Sequence, residues 1–301
     1  MWVKCKKVIK KVFPFLVPAA KSVVNFIKYD VILPIKIFLH IPEKKPHKLI
    51  NFEVHLADHC NLNCVGCNHF SPLAEPSCVS IETFKRDFER MGELFSHKCG
   101  RIHLLGGEPL LNPDVIELMK IARENFPEGE INIYTNGILL PQQDEKFWRA
   151  CHDNNINIIM THYPIKIDVD KINSLADKFN VVFHCSMADK TMFKNPLDLS
   201  GSGNAIKNFA KCAKGNGCIF LDDGKLYTCT LISNLKFFNK AFNQNIPVTE
   251  ADYINIYDDI TSDEIFKRLA THVPVCSYCN MDDFEGDIEW HVSKREMSEW
   301  V

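Results

Sequence analysis

Hydrophobic and polar residues follow two alternating patterns between residues 49 and 185. Short β-branched runs such as LINFEVHLA (49–57) indicate strands. Longer runs such as SIETFKRDFERMGELF (80–95) space apolar residues three and four positions apart, which predicts amphipathic helices, here with Ser80 as the N-cap. The predicted strands are 49–57, 101–107, 130–137, 156–162 and 181–185. The predicted helices are 80–95, 112–125 (capped by Asn112), 143–154 and 168–179, with a terminal helix over 290–300.

Strands separated by helices predict an α/β fold, because parallel strands pair through right-handed crossovers. The sheet is expected to be doubly wound or barrel-like, and both architectures carry function at the carboxyl ends of the strands. The segments expected at that edge are the cysteine-rich loop 58–70, the turn Gly106-Gly107-Glu108-Pro109, Asn136-Gly137 and His162. The alternation stops near residue 200, where SGSGN (200–204) predicts a linker into a second, cysteine-bearing part.

Charge divides the chain into two unlike parts. Residues 1–48 hold eleven lysines against Asp30 and Glu43, a net charge of +9, which leaves −12 for residues 49–301. The acidic body argues against nucleic-acid binding, which depends on phosphate neutralisation. In the basic part no apolar run reaches the ~20 residues of a membrane-spanning helix. Its lysine-rich amphipathic character favours the anionic inner leaflet of a membrane, and the alternative is a helix folded back on the acidic body.

Cysteine content indicates the compartment and the chemistry. The chain has thirteen cysteines in 301 residues and opens without an apolar region followed by a small-residue cleavage site. We therefore expect a reducing, cytoplasmic environment, in which clustered cysteines are more often metal or cluster ligands than disulfide partners.

Three cysteines, Cys60, Cys64 and Cys67, lie within eight residues in CNLNCVGC. Structural zinc takes four protein ligands, usually as two pairs, so three thiolates do not complete its tetrahedron. They suit a [4Fe-4S] cluster in which three irons are held by thiolates and the fourth is left for a small molecule.

The cysteine motif after the first strand, together with LLGGEP after the second, resembles the radical S-adenosylmethionine (SAM) superfamily. This resemblance implies a partial (β/α)6 barrel, TIM-like in its strand arrangement, in which Cys60, Cys64 and Cys67 bind the cluster. It also implies that SAM binds the open iron and is cleaved to a 5′-deoxyadenosyl radical after one-electron reduction by a flavodoxin- or ferredoxin-type protein.

The same resemblance assigns residues to SAM. Gly106, Gly107 and Glu108 would bind the methionine amine, and Asn136 and Gly137 would contact the nucleoside. The family usually has an aromatic residue before the third cysteine, where this chain has a glycine. Shielding of the cluster then passes to His69 or Phe70.

A second cysteine set follows in KCAKGNGCIFLDDGKLYTCTL (211–231) and VCSYCNM (275–281). Its spacing resembles the twitch domain, the shortened form of the SPASM extension of radical SAM enzymes such as 2-deoxy-scyllo-inosamine dehydrogenase-type proteins. This implies an auxiliary [4Fe-4S] cluster. The implied ligands are Cys212, Cys229, Cys276 and Cys279, with Cys218 as a fifth candidate. A zinc ribbon is the alternative.

These patterns divide the chain into three parts: a basic amphipathic segment (1–48), a radical SAM core (49–203) and a twitch/SPASM-like domain (204–301). The resemblance favours oxidation or epimerisation of a sugar, cyclitol or nucleotide-sugar by a radical SAM oxidoreductase or epimerase. Cys185, at the end of the fifth strand, would donate hydrogen in an epimerase, or else is a small apolar filler. The alternatives are modification of a ribosomally made peptide and a non-catalytic metal-binding scaffold.

Overall fold

A central sheet with helices packed against it organises the protein, seen in a computed structural model that describes residues 22–186, 191–194, 197–282 and 286–301. The strands are β1 (Ile50–Ala57), β2 (Cys99–Gly106), β3 (Glu130–Thr135), β4 (Ile156–Met160), β5 (Phe183–Cys185), β6 (Thr191–Lys194), β7 (Phe220–Asp222), β8 (Lys225–Tyr227), β9 (Tyr253–Asn255) and β10 (Gly286–Glu289). The helices are α1 (Leu33–Phe38), α2 (Ile81–Leu94), α3 (Val115–Asn125), α4 (Glu145–Asp153), α5 (Val169–Phe179), α6 (Ala205–Lys211), α7 (Thr230–Phe242) and α8 (Ser262–Leu269).

The main sheet has the strand order β5-β4-β3-β2-β1-β7-β8-β9, and β6 and β10 form a separate antiparallel pair. Strands β1 to β5 pair in parallel in chain order, and β7 pairs in parallel with β1. Strands β8 and β9 are antiparallel. The predicted α/β class with a mostly parallel, barrel-like sheet is confirmed. The sixth parallel strand lies beside β1, not beside β5, so the C-terminal region extends the same sheet.

The two faces of the sheet differ in polarity. Phe52 and Val54 of β1 point to the helices and pack with Phe84 and Phe88 of α2, whose rings stack with centroids 4.0 Å apart. Full burial of each such side chain contributes about 1.5–3 kcal/mol. The alternate residues of the strands point to the other face, called here the inner face, which carries Glu53, His55, His103 and Tyr134. The strand period of two therefore separates the main core from these polar groups, while α7 covers the apolar part of the inner face around Leu105 and Phe220.

The N-terminal segment is fixed at one end and exposed at the other. A π-helical turn (Ile27–Ile32) precedes α1, and the large apolar side chains around them are exposed. The exposed residues are Val23, Val24, Phe26, Ile27, Val31, Ile32, Ile35, Ile37, Phe38, Leu39 and Ile41. Farther along, the Lys44 amide donates to the Ala270 carbonyl at 3.1 Å, and the Glu43 carboxylate is 2.9 Å from His272 Nδ1. The segment therefore joins the C-terminal region through residues 43–47, and Asp30 forms a further ion pair with Lys207 of α6 at 3.3 Å.

No helix in the described part of the chain is long and apolar enough to cross a bilayer. The predicted apolar runs before residue 22 lie outside the described residues.

Two local predictions are wrong. Residues 290–300 contain a 3-10 turn (Met297–Glu299) in place of a helix, because their backbone pairs with the cysteine loop: the Val65 amide donates to the His291 carbonyl at 3.0 Å. Helix α3 begins at Val115, since Asn112 Oδ1 instead accepts from the Asp114 amide at 2.8 Å and forms a turn before the helix. Ser80 does cap α2, accepting from the Thr83 amide at 3.1 Å.

Candidate active site

The three-thiol loop, which carries Cys60, Cys64 and Cys67, directly follows β1. The C-terminal segment holds its backbone: the Ser293 amide donates to the Asn63 carbonyl at 2.8 Å, and Trp300 Nε1 donates to the Cys67 carbonyl at 2.9 Å. The loop is therefore fixed by the C-terminal segment as well as by β1.

The three thiols lie in an apolar shell. Burial raises the pKa of Cys60 to about 11 and that of Cys64 to about 12, and it also raises the pKa of Cys67. The thiols are close enough for Cys67 to raise the pKa of both others. The surrounding apolar side chains are Leu62, Val65, Ile138, Tyr163, Ile165, Ile288 and Trp290. Three converging soft ligands in a dry site fit a cluster whose irons balance the thiolate charge.

The GGE turn after β2 lies against the start of this loop. The Gly107 amide donates to the Ala57 carbonyl at 2.9 Å, and the Glu108 amide donates to the His59 carbonyl at 3.1 Å. A Cβ at Gly107 would lie 2.1 Å from the His59 carbonyl oxygen, and one at Gly106 would lie 2.1 Å from that of Ala57. Only glycine allows this approach, which places the turn beside the thiols.

The Glu108 side chain ties two strand ends together. Its Oε1 accepts from Thr135 Oγ1 at 2.7 Å and from the Leu110 amide at 3.1 Å, and its Oε2 accepts from the Asn136 amide at 2.9 Å. Burial raises the pKa of this fully buried carboxyl to about 7. Each of its oxygens thus accepts at least one hydrogen bond from the protein.

Asn136 and Gly137 end β3 next to the first thiol. Asn136 Nδ2 donates to Asn61 Oδ1 at 2.7 Å and lies 3.6 Å from Cys60 Sγ, and the Gly137 amide donates to Thr135 Oγ1 at 3.0 Å. The structure therefore brings together the residues that the resemblance assigned to the cluster and to SAM.

Four C-terminal thiols line a small cavity of about 30 Å³. The thiols of this four-thiol cavity are those of Cys212, Cys229, Cys276 and Cys279. Asn208 Nδ2 draws two of their backbones together, since it donates to the carbonyls of Cys276 and Cys279 at 3.0 and 2.5 Å. Cys218 does not line the cavity. Its thiol faces Glu53, and burial raises its pKa to about 12.

Four soft donors from three segments of the chain fit a cluster that is fully ligated by protein. Within the described ranges, no three Cys, His, Asp or Glu side chains are grouped so as to hold a single metal ion.

The inner face carries a polar group that sequence reasoning missed. Glu53 and His103 are direct partners in the β1–β2 register, with Glu53 Oε1 3.6 Å from His103 Nδ1. Thr230 Oγ1 donates to Glu53 Oε2 at 2.7 Å, and the Tyr134 ring lies 4.6 Å from the His103 ring, centroid to centroid. His103 Nε2 is buried without a hydrogen-bond partner among the described residues. Glu53 therefore orients the imidazole at Nδ1.

A histidine pair connects this face to the three-thiol loop. His55 Nδ1 is 2.8 Å from Asp58 Oδ1, and His55 Nε2 is 2.7 Å from His69 Nδ1. Burial, with the nearby His55, lowers the pKa of His69 to about 3, so this ring is neutral at physiological pH. The contact with His55 holds the His69 ring against the inner face.

Cys185 is not brought to either thiol set. In the β4–β5 register it pairs with Met160, and both contact the apolar core on the helix side. The alternation along β5 puts His184, and not Cys185, on the inner face. The hydrogen-donor role of Cys185 stays a prediction.

An α/β body with three thiols at the carboxyl edge of its first strand defines a class of cluster-binding proteins. Residues 54–178 match the family model of the Radical SAM superfamily. The family implies a [4Fe-4S] cluster and SAM as cofactors.

Several curated relatives match part of the same domain. The chain is 30% identical over 105 residues to a protein of Methanothermobacter thermautotrophicus described as a probable GTP 3′,8-cyclase, covering 34% of this chain and 32% of that protein. It is 34% identical over 96 residues to a similarly described protein of Thermoplasma volcanium, covering 31% and 27%. The chain spans about a third of the length of these relatives.

Solved structures also align with the chain. BtrN in complex with AdoMet and 2-DOIA has a TM-score of 0.49 at 19% identity, covering 81% of this chain and 98% of that one. Native anSMEcpe with bound AdoMet has a TM-score of 0.45 at 14% identity, covering 76% and 82%.

Proposed function

We propose that this protein is a radical SAM oxidoreductase that oxidises an alcohol carbon of a sugar, cyclitol or nucleotide-sugar. One observation carries the proposal: a three-thiol loop and a four-thiol cavity occur in one body, with the oriented imidazole of His103 on the inner face. The proposed organisation is a basic segment (1–48), a radical SAM core (49–203) and an auxiliary cluster domain (204–301).

The thiol counts support different roles for the two centres. Cys60, Cys64 and Cys67 would hold a cluster with one open iron, and the thiols of the four-thiol cavity would hold a closed one. With SAM bound, the first supplies a 5′-deoxyadenosyl radical and the second an electron acceptor. A flavodoxin- or ferredoxin-type protein is the proposed reductant. Gly106, Gly107, Glu108, Asn136 and Gly137 form the proposed SAM contacts.

Oxidation of an alcohol carbon removes a hydrogen atom, an electron and a hydroxyl proton, and the proton requires a base. His103 Nε2 is the proposed acceptor, because it is buried and without a partner among the described residues. Glu53 beside Nδ1 favours the tautomer that leaves Nε2 unprotonated and stabilises the ring once it is charged. Glu53 suits this task because interactions with His103 and Thr230 lower its pKa, which keeps it ionised.

The polarity of the inner face supports a hydroxylated small molecule over a peptide. Glu53, His103 and Tyr134 offer a carboxylate, an imidazole and a phenol within one patch, and such groups match substrate hydroxyls. GTP remains a competing substrate because the curated relatives are described as GTP 3′,8-cyclases.

The test is anaerobic turnover of reconstituted, reduced protein with SAM and four probes: 2-DOIA, UDP-glucose, GTP and a cysteine-containing peptide. The proposal expects a ketone product from a polyol probe and transfer of deuterium from its labelled carbon into 5′-deoxyadenosine. Cyclisation of GTP or modification of the peptide would contradict the proposed substrate class. Failure to cleave SAM with any reductant would support a non-catalytic scaffold.

We also propose that the N-terminal segment binds the anionic inner leaflet of a membrane. Phe26 and Phe38 are 59% and 82% exposed, and Lys28 and Lys36 lie on the same helical stretch. Exposed aromatic and aliphatic side chains among lysines are typical of interfacial helices. Such a segment is stabilised by both acyl-chain burial and attraction to acidic lipid.

Vesicle co-sedimentation distinguishes membrane binding from the alternative, in which the segment folds back on the acidic body. The double variant Phe26→Glu/Phe38→Glu is expected to bind phosphatidylglycerol vesicles at least about tenfold more weakly, whereas Val248→Glu, a control on the body, binds as the wild type does. Equal binding to neutral and acidic vesicles, or none to either, contradicts the proposal.

A further inference from the structure

A lysine of the N-terminal segment contacts the wall of the four-thiol cavity. Lys44 Nζ donates to the carbonyl of Cys212, and it also donates to the carbonyl of Gly215 at 2.7 Å. The ammonium lies 4.8 Å from the centroid of the Phe209 ring. Cys212, Gly215 and Phe209 all line the cavity, so Lys44 reaches it from a segment remote in sequence.

The position of Lys44 does not depend on a bound cluster. Its own amide donates to the Ala270 carbonyl at 3.1 Å, and the preceding Glu43 is bound to both the amide and the ring of His272. His47 Nε2 lies 2.6 Å from the Asn216 carbonyl. These bonds fix the backbone on both sides of the lysine.

The ammonium faces thiols and carbonyls. Burial lowers the pKa of Lys44, while the nearby thiols of Cys212, Cys229 and Cys276 act in the opposite direction. No carboxylate of the described residues forms an ion pair with it. The adjacent Lys45 is exposed, so two neighbouring lysines of equal charge differ in their distance from the cavity.

We propose that Lys44 is a positioning residue that holds a positive charge beside the auxiliary cluster and raises its reduction potential. This inference rests on the auxiliary cluster of the proposed function. A fixed cation at a partly desolvated site stabilises the more negative, reduced form of a neighbouring redox centre. The same contacts tie the 212–215 turn to the N-terminal segment.

The test is an EPR-monitored redox titration of the reconstituted full chain. Lys44→Gln and Lys44→Met are expected to lower the reduction equilibrium constant of the auxiliary cluster about tenfold, or ~59 mV for a one-electron couple. Lys44→Arg keeps the charge and is expected to titrate as the wild type does. Lys45→Met is the matched control and leaves both clusters unchanged. The cluster of the three-thiol loop provides an internal reference.

The outcomes are separable. Equal shifts in Lys44→Met and Lys45→Met, or no shift in any variant at full iron content, overturn the inference. Loss of the auxiliary irons from both the Gln and the Met variant, with Lys44→Arg intact, assigns Lys44 to folding alone and also overturns it. A wild type with only one cluster's worth of iron instead contradicts the proposed function, independently of Lys44.

Discussion

The three-thiol loop and the four-thiol cavity contain the same ligand chemistry but are built differently. In the first, all thiols belong to one loop after β1, beside the GGE turn and Asn136. In the second, the thiols come from three separate segments, and Asn208 ties the helix that ends at Cys212 to the turn that carries Cys276 and Cys279. In the proposed function, the absence of a fourth thiol from the loop leaves an iron available for SAM. A local motif therefore provides the three-thiol set, and tertiary packing assembles the four-thiol cavity.

Their electrostatic settings also differ. The three-thiol loop lies near the fully buried Glu108, whose pKa burial raises to about 7. The four-thiol cavity lies beside the Lys44 ammonium. We infer that the first setting serves ligand binding and the second serves acceptance of an electron.

The largest expected effect comes from removing one thiol of each set. Cys64→Ser is expected to lose one cluster's iron and to lower 5′-deoxyadenosine formation at least about 100-fold, because the SAM-binding iron is lost. Cys276→Ser is expected to lose the other cluster's iron yet still form 5′-deoxyadenosine without oxidised product. Iron analysis and chromatography of the nucleoside measure both results.

Cys218→Ser is the matched control for this pair, since its thiol faces Glu53 and does not line the cavity. Full iron content is expected. If Cys218→Ser lost iron while Cys276→Ser kept it, the assignment of the four ligands would be wrong.

The next effect concerns the inner face. His103→Gln is expected to lower product formation about 100- to 10⁴-fold, because the proton acceptor is lost, while reductive cleavage of SAM continues. The ratio of product to 5′-deoxyadenosine measures this uncoupling. His184→Gln, at an exposed position of β5, serves as the control. A parallel loss of both products in His103→Gln would instead indicate a structural role.

A smaller effect concerns Glu108. Because burial raises its pKa to about 7, the folded state retains a proton that the unfolded chain releases near pH 4.5. Its contribution to stability is present at low pH and is lost as pH rises from about 4.5 to about 7. Across this window the wild type is expected to lose about 3 kcal/mol more of its free energy of unfolding than Glu108→Gln does. Anaerobic urea unfolding at several pH values provides the measurement, and parallel profiles would contradict the assignment.

The smallest effect concerns the hydrogen bonds by which the C-terminal segment holds the backbone of the three-thiol loop, called here the clamp. Trp300→Phe removes the hydrogen bond to the Cys67 carbonyl and is expected to cost about 1 kcal/mol of unfolding free energy. Phe242→Leu alters the ring packing against Trp300 without touching that bond. Slower loss of iron to a chelator from the Trp300 variant than from the wild type would contradict the clamp.

Local patterns in the sequence predict the elements of the radical SAM core well. The predicted strand 156–162 and helix 80–95 agree closely with β4 and α2, since apolar spacing and the Ser80 cap act within a few residues. The segment 290–300 was mispredicted because its extended form depends on backbone bonds to the distant three-thiol loop. The placement of β7 beside β1 is equally non-local.

The candidate site also has a part that the local sequence predicts and a part that depends on tertiary packing. The sequence of one loop is enough to predict the first thiol set. The position of Cys218 outside the four-thiol cavity instead depends on the pairing of the adjacent strand β7 with β1. Glu53 and His103 were missed although a signal existed. In β1 the polar residues Asn51, Glu53 and His55 alternate with apolar ones, which places them on a single face of the strand.

The most direct test of the central claim is Mössbauer spectroscopy of the ⁵⁷Fe-reconstituted Cys276→Ser variant, which isolates the cluster of the three-thiol loop. The proposed open iron predicts a four-iron spectrum in which one site of the four changes on addition of SAM. A spectrum that is unchanged by SAM, or zinc in place of iron and sulfide at Cys60, Cys64 and Cys67, would contradict it.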